Sequence, residues 1–268
     1  MPDDQRHGVL VSKARRAQWR ALGVGDAMMV LAVESSTELA GVALADESGV
    51  LATVTVSRGR HHAEFIAPAI EFVCRRAGVE MSGLDAIGVD VGPGLFTGLR
   101  VGVGTAKALA FALERPLVAC GSLEVLAHAM VGSGVAPGTV VIPVVDARRG
   151  EVFVGNLRAS EHGVAWEQSE RRRTPQALAE ELSALGEPMV VAGNGARRYR
   201  SVLGSVPGAV FGGEALDFPP PGILATLVLF KAAAGENTDV QAVLPHYLRD
   251  AETRINWEKR APRAGVES

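Results

Sequence analysis

Two turns in the sequence combine residue types that can hold a phosphate group. In the first, Glu34 ends an apolar segment and is followed by Ser35, Ser36 and Thr37. The second is Gly92-Pro93-Gly94-Leu95-Phe96-Thr97-Gly98-Leu99-Arg100, which lies between a β-rich segment and a helical pattern. Hydroxyls and free amides at such turns bind phosphate, and an adjacent acid can organise a metal ion or water. Each turn also has a simpler interpretation, as a polar hairpin or a tight strand-to-helix connection, which the local sequence alone favours.

Small residues recur along the predicted helix that follows the second turn. Gly98, Gly102, Ala106 and Ala110 are spaced four residues apart and share one helix face. Each glycine costs a helix interior roughly 1 kcal/mol relative to alanine, so we expect this ridge to allow the close approach of another backbone. Thr97 is the predicted N-cap of the helix.

The composition is that of an ordinary globular protein. The chain has 268 residues, of which 47% are apolar, and a formal charge of −3, which allows one large domain or two small ones. We expect no segment to be long and apolar enough to cross a bilayer. The near-neutral charge argues against direct binding of nucleic acid, because phosphate contacts need a basic face. Cys74 and Cys120 are predicted to be reduced, buried thiols.

The chain is predicted to form two lobes built on one plan. Residues 1–27 are rich in arginine and lack periodicity, so we expect disorder there. Residues 28–135 form the first lobe, which begins with an antiparallel meander of three strands. In the second lobe, residues 136–250, an apolar strand again ends at an acid, Asp146. Its turn carries Arg148 and Arg149, whose bulk is expected to fill a phosphate cradle, and residues 251–268 are expected to be a mobile tail.

Two other clusters give weaker signals. His61 and His62 open a helical pattern, but neighbouring side chains on a helix point about 100° apart and do not chelate a metal from one face. Phe65 and Ile66 occupy the positions where second ligands would be needed, so no metal site is predicted. The run Arg171-Arg172-Arg173 is interpreted as a solvated basic face.

Taken in order, these motifs resemble the TsaB (YeaZ) family over about residues 29–250. The motifs are Glu34-Ser35-Ser36-Thr37, Arg60-His61-His62-Ala63-Glu64, the turn from Gly92 to Arg100, Asp146-Ala147-Arg148-Arg149-Gly150-Glu151-Val152 and Tyr247-Leu248-Arg249. The resemblance implies an α/β, actin-like fold (ASKHA, sugar-kinase/Hsp70 type) with two duplicated lobes of mixed β-sheet and helices. It also implies a cytoplasmic role in making threonylcarbamoyladenosine next to the anticodon of tRNAs that read codons beginning with A.

The resemblance further implies a non-catalytic scaffold within that system. Such a subunit pairs with TsaD, a paralogue that transfers the threonylcarbamoyl group from threonylcarbamoyl-AMP to adenosine, and helps recruit the ATPase TsaE. Alone it would form a homodimer, and it would meet tRNA only through the complex. The implied contact surface lies on two helices, roughly residues 64–76 and 98–113, through Phe65, Ala69, Phe72, Gly98, Gly102, Ala106 and Leu109. On this expectation, Gly102→Leu disrupts association and leaves the fold intact.

The residues themselves agree with a scaffold that has lost its site. Phe65 and Ile66 stand where the catalytic paralogue pairs histidines, and Glu34 replaces the aspartate usual in the family, a longer arm less suited to a fixed metal geometry. We expect no cofactor, no metal and no membrane contact. Two alternatives remain open. A small-molecule kinase of this fold would need a metal-binding acid pair and an open adenosine pocket near Gly193-Asn194-Gly195, and a glycoprotease would need a Ser–His–Asp arrangement that is not evident.

Overall fold

Two five-stranded sheets form the framework of residues 28–57 and 62–248, the part of the chain that the computed structural model describes. The strands of the first sheet are β1 (Val30–Glu34), β2 (Leu39–Asp46), β3 (Gly49–Ser57), β4 (Ala86–Asp90) and β5 (Leu117–Cys120). Their spatial order is β3-β2-β1-β4-β5. The first three form the predicted antiparallel meander, whereas β4 and β5 run parallel to β1. Every residue of β1 is buried, as its unbroken apolar run requires.

The second sheet repeats this topology. Its strands are β6 (Val140–Arg148), β7 (Glu151–Ser160), β8 (Gly163–Arg173), β9 (Met189–Ala192) and β10 (Ala209–Phe211), in the order β10-β9-β6-β7-β8. An antiparallel meander is again followed by two strands parallel to its first strand. The duplicated plan predicted from the sequence is therefore confirmed. The sequence did not predict β8, because this edge strand exposes polar side chains along most of its length and lacks a clear apolar face.

Helices cover both faces of each sheet. They are α1 (His62–Ala77), α2 (Phe96–Leu113), α3 (Ser122–Gly132), α4 (Pro175–Leu185), α5 (Asn194–Arg198), α6 (Arg200–Leu203) and α7 (Pro221–Ala233). Helices α1 and α2 pack on one face of the first sheet, and α7 packs on the other. Helix α3 packs on the second sheet, opposite α4 and α5. The packing of α3 and α7 therefore crosses the predicted division between residues 135 and 136, and the lobe boundaries stay a prediction.

Helix α2 begins differently from the prediction. Its N-cap is Leu95, with no side-chain cap, and the predicted cap Thr97 lies within the first turn. The backbone N–H of Leu95 donates to the carbonyl of Ser36 over 2.6 Å, so the connection docks on the β1–β2 turn before the helix starts. By contrast, helix α4 has a side-chain cap, because the hydroxyl of Thr174 accepts from Ala177 N at 3.3 Å and Pro175 occupies the first helical position.

One helix contradicts the expectation about membrane spans. Within the described residues, α2 is long and apolar enough to cross a membrane by length and composition, with a mean hydropathy of 1.2. Its buried side packs instead against β1 and α1, as in the core of a globular fold, and a core helix passes the same test. The predictions for residues 1–27 and 251–268, and for Arg60, His61 and Arg249, lie outside the described residues.

Candidate functional site

The first predicted phosphate turn is covered by the chain itself. Glu34, Ser35 and Ser36 have no exposed surface, and Thr37 is 1% exposed. The cover is the glycine turn together with the start of α2, where the Ser35 hydroxyl donates to the Gly98 carbonyl over 2.9 Å. A Cβ atom on Gly94 would lie 2.1 Å from the Ser36 carbonyl oxygen, and one on Gly98 would lie 2.1 Å from that of Ser35. The small residues do permit a close backbone approach, and the approaching backbone is this turn.

This packing corrects the predicted contact surface. Ala69, Gly98, Gly102 and Ala106 are buried in the lobe and offer no surface to another chain. A Cβ on Gly102 would lie 2.1 Å from Ser35 Oγ, so the expectation that Gly102→Leu spares the fold was wrong. The remaining predicted contact residues, Phe65, Phe72 and Leu109, are at least partly exposed. Small residues on α2 are compatible with close packing either within the same chain or against another chain, and the sequence does not distinguish the two.

A groove lies on the outer side of the same two helices. It is lined by Ala67 and Ile70 of α1, by Gly104, Thr105, Ala108 and Leu109 of α2, and by Met81, and its volume is about 540 Å³. Phe72 of α1 is 37% exposed, and Phe111, further along α2, is 78% exposed. Exposed apolar surface of this kind is typical of a contact with another protein.

Beneath the covered turn lies an acid pair that the sequence analysis missed. Glu34 and Asp90 end the parallel strands β1 and β4, one position beyond the paired residues Val33 and Val89. Glu34 Oε1 accepts from the N–H and hydroxyl of Ser36, at 2.7 and 2.6 Å. Asp90 Oδ1 accepts from Gly92 N and Ser122 Oγ, both at 2.7 Å. Asp90 could have been recognised in the sequence because, like Glu34, it is an acid that ends a short apolar strand directly before a turn.

Burial raises the pKa of both acids. Both carboxyl groups are fully buried, and the pKa of Glu34 is raised well above its usual value by burial and then by the charge of Asp90. The pKa of Asp90 is also raised by burial, but hydrogen bonds from its neighbours oppose that shift. Glu34 Oε2 and Asp90 Oδ2 receive no hydrogen bond from any other group. A hydrogen bond between the two carboxyl groups adds to the rise in the pKa of Glu34 and opposes the rise in that of Asp90.

The turn of the second lobe that follows Asp146 places an arginine across the cleft between the lobes. Arg148 is in the left-handed region, at φ 65°, and its backbone N–H donates to Asp146 Oδ1 over 3.1 Å. Its guanidinium contacts Asp146 Oδ2 at 3.4 Å and pairs with Glu38, which directly follows the buried turn. Asn194 donates to the other oxygen of Glu38 over 3.1 Å. Arg149 is left-handed too, at φ 53°, and is exposed.

The segment considered for an adenosine pocket packs on a strand. Gly193 has φ 116°, and a Cβ there would lie 2.1 Å from the carbonyl oxygen of Val144 in β6. A Cβ on Gly195 would lie 2.9 Å from the carbonyl carbon of Val145. The Asn194 side chain accepts from Asp146 N at 2.9 Å. These contacts leave the glycines facing β6, which argues against the open pocket that a kinase would need.

The histidine and acid side chains give no metal cage. Within residues 28–57 and 62–248, no group of three or more His, Cys, Asp or Glu residues is arranged to hold a metal ion. His62 is buried at the start of α1, and burial lowers its pKa, although its ring is hydrogen-bonded to the backbone of Glu38. His62 is thus held by the β1–β2 turn as a packing residue.

Two motifs that are far apart in the sequence meet on the surface. The guanidinium of Arg100 lies 3.8 Å above the centre of the Phe96 ring, and its Nε donates to the Tyr247 hydroxyl over 3.2 Å. The Phe96 and Tyr247 rings are 4.9 Å apart. His246 N also donates to the Val91 carbonyl over 2.6 Å. The C-terminal part of the described chain is therefore fastened to the glycine turn.

Two lobes of one topology, with acids at the facing strand ends, define an actin-like fold whose cleft is bridged by its own side chains. The family model for TsaD, tRNA N6-adenosine threonylcarbamoyltransferase, matches residues 49–167. The TsaB protein of Bacillus subtilis, named for tRNA threonylcarbamoyladenosine biosynthesis, is 32% identical over 86% of this chain and 98% of its own length. The chain belongs to the TsaB family.

Other relatives agree in sequence and in structure. The TsaB protein of Escherichia coli is 28% identical over 87% of this chain and 98% of its own length. The solved structure of YeaZ from Pseudomonas aeruginosa superposes with a TM-score of 0.72 at 30% identity, over 82% of this chain and all of that one. The resemblance found in the motifs, and the actin-like fold it implied, are confirmed.

Proposed function

We propose that this protein is the non-catalytic scaffold subunit of the complex that makes threonylcarbamoyladenosine in tRNA. Its TsaB relatives support a role in that biosynthesis. In the proposed complex a TsaD subunit transfers the threonylcarbamoyl group from threonylcarbamoyl-AMP to the adenosine next to the anticodon. This chain activates that subunit and helps recruit the ATPase TsaE, in the cytoplasm and without contact to a membrane.

The buried and occupied turns at the cleft are the observation that supports the non-catalytic part of the proposal. A phosphate group needs a turn with accessible amides and hydroxyls, and the Glu34–Thr37 turn has almost no accessible surface. A catalytic metal needs ligands with room around them, whereas Glu34 and Asp90 are satisfied by each other, Ser36, Gly92 and Ser122. The facing turn of the second lobe is occupied by Arg148. In the proposed scaffold, neither of these two turns binds a reactant.

The groove between α1 and α2 is the proposed contact for TsaD, and for a second copy of this chain when TsaD is absent. Its apolar lining and the exposed Phe72 and Phe111 favour burial against a similar helical surface. Three residues of the interface predicted from the sequence are buried beneath this surface and support it: Gly98, Gly102 and Ala106. No cofactor takes part, and tRNA is contacted through the complex.

A charge placed in the groove tests the proposal. Ala108→Arg puts a cation on the exposed side of α2, and Ala184→Arg makes the same change on the exposed side of α4 in the second lobe. Light scattering after size-exclusion chromatography, with and without the cognate TsaD, measures association. We expect the unmodified chain and Ala184→Arg to form a 1:1 complex and Ala108→Arg to lose it. Equal association by both variants would show that TsaD does not bind at the groove.

A tRNA-modification assay tests the scaffold role itself. Modification by TsaD should depend on this chain, which should show no activity alone, and Ala108→Arg should reduce modification in step with complex formation. Calorimetric titration of ATP or ADP should give no heat of binding to the isolated chain. If the isolated chain turns over ATP and does not bind TsaD, the kinase alternative would replace the proposed scaffold function.

A further inference from the structure

We propose that Glu38 and Arg148 form a latch that holds the two lobes closed at the mouth of the cleft. Glu38 belongs to the β1–β2 turn of the first lobe, and Arg148 belongs to the corresponding β6–β7 turn of the second. Because the two turns are related by the duplicated topology, the latch joins equivalent points of the two lobes. This inference concerns the isolated chain and does not depend on the proposed scaffold function.

The first-lobe half of the latch is anchored on both sides. Glu38 follows Thr37, the last residue of the buried turn, so its backbone cannot shift without disturbing that packing. Its backbone is hydrogen-bonded to the ring of the buried His62. Only the carboxylate of Glu38 reaches across the cleft, where one oxygen pairs with Arg148 and the other accepts from Asn194 Nδ2 at 3.1 Å.

The second-lobe half is held in a conformation that needs a compensating interaction. Arg148, Arg149 and Gly150 are consecutive left-handed residues, with φ of 65°, 53° and 82°. Two of them carry side chains, for which this region is unfavourable, and such strain collects at functional positions. The turn aims Arg148 over Asp146 and into the cleft. Asn194 is oriented for Glu38 because its own Oδ1 accepts from Asp146 N at 2.9 Å.

The exposure of the pair suits a contact that can open. The side chains of Arg148 and Glu38 are 42% and 38% exposed, so water and salt reach the ion pair. Asp146 is shared, because Arg198 Nη1 also contacts its Oδ2 at 3.4 Å. The charges of two acids and two arginines thus balance at the mouth of the cleft. Among the described residues, removing the charge of Glu38 leaves Arg148 with one acidic partner, Asp146 of its own lobe.

Distances between spin labels on the two lobes test the latch. Cysteines are introduced at exposed sites by Thr53→Cys in β3 and Gln176→Cys in α4, while the native Cys74 and Cys120 are buried. With Glu38 intact we expect one narrow distance distribution. Glu38→Gln and Arg148→Gln should each broaden it at least twofold, and high salt should do the same without any substitution. The salt titration keeps the test valid if Arg148→Gln destabilises the strained turn.

The matched control is Glu214→Gln, which removes an ion pair to Arg197 within the second lobe. It should leave the distance distribution unchanged, and all variants should keep the circular dichroism spectrum of the unmodified chain. An unchanged distribution in Glu38→Gln and in high salt would overturn the proposal. Equal broadening by Glu214→Gln would overturn it as well, because the effect would then not be specific to the cleft.

Discussion

The carboxyl groups of Glu34 and Asp90 are hydrogen-bonded to each other at adjacent ends of β1 and β4, where neither side chain has any contact with solvent. Their remaining hydrogen bonds tie together the β1–β2 turn, the glycine turn and the start of α3. In this protein the pair of acids at the strand ends joins three chain segments. The arrangement gives this acid pair a structural role at the base of the cleft.

Substitutions in the acid pair should have unequal effects. Asp90→Ala removes the acceptor of Gly92 N and Ser122 Oγ, and it leaves the Oε2 atom of Glu34 without its partner, while Oε1 keeps Ser36. We expect it to lower the free energy of unfolding by about 3 kcal/mol or more. Glu34→Gln keeps an oxygen for Ser36 and an amide for Asp90, so its cost should stay below about 1 kcal/mol. Urea unfolding at pH 7 measures both, and equal losses would contradict these unequal roles.

Two neighbouring glycines of α2 should separate folding from association. Gly102 faces Ser35 inside the lobe, whereas Gly104 lines the groove, and a Cβ atom added to Gly104 would meet no neighbouring atom within 4 Å. Gly102→Leu should therefore cost about 3 kcal/mol or more through overpacking. Gly104→Leu should raise helix stability by about 1 kcal/mol and yet weaken association with TsaD.

Gly104→Ala is the matched control for this pair. It should give the same gain in helix stability, about 1 kcal/mol, while its small methyl group leaves the groove open to a partner. Thermal unfolding and light scattering report the two properties separately. Normal association by Gly104→Leu would show that the partner does not enter the groove at this point.

The local features of the fold could be predicted from the sequence. The meander of β1 to β3, the bounds of β5 and the Thr174 cap of α4 follow from short-range patterns of apolar, turn and capping residues. The polar edge strand β8 and the crossing of α3 to the other sheet could not, because both depend on which surface is available after the sheets form.

The candidate site also has some features that the sequence could predict and others that it could not. The small residues of α2 correctly predicted a close backbone approach, but the identity of that backbone depends on the tertiary fold. Asp90 could have been found, since it ends a buried strand as Glu34 does. The partners of Glu38 could not, because Arg148 and Asn194 are more than a hundred residues away along the chain.

Glu170 should make stability depend on pH. This side chain of β8 is mostly buried, and burial, followed by the charges of Asp90 and Glu124, raises its pKa to about 7. Between pH 4.5 and 7 the folded protein then holds a proton that the unfolded chain has released, so stability falls as pH rises through this window. His246 Nε2 lies 3.0 Å from its Oε2. The net loss should be roughly 1 to 3 kcal/mol.

Glu170→Gln should remove this contribution and make the variant more stable than the unmodified chain above pH 7. The comparison uses urea unfolding at several pH values, with Glu180→Gln, an exposed change on α4, as the control. The difference between Glu170→Gln and the unmodified chain should grow from pH 5 to pH 7.5 and then level off. A difference that does not vary with pH would contradict the raised pKa.

The arginine run in β8 should prove structural rather than nucleic-acid binding. The Arg171 side chain is 9% exposed and contacts Glu181 at 3.0 Å and Asn156 at 3.0 Å, whereas Arg172 makes a half-exposed pair with Glu151. Arg171→Met takes this donor from the buried Asn156 side chain, while Glu181 keeps its pair with Arg173, and the change should cost about 2 kcal/mol. Arg172→Ala should cost less than about 0.5 kcal/mol. Thermal unfolding measures these costs, and salt-dependent tRNA binding by the complex is followed in parallel. Arg172→Ala could instead leave the protein stable but weaken tRNA binding and reduce the dependence of that binding on salt concentration. This result would indicate that RNA phosphate contacts this strand.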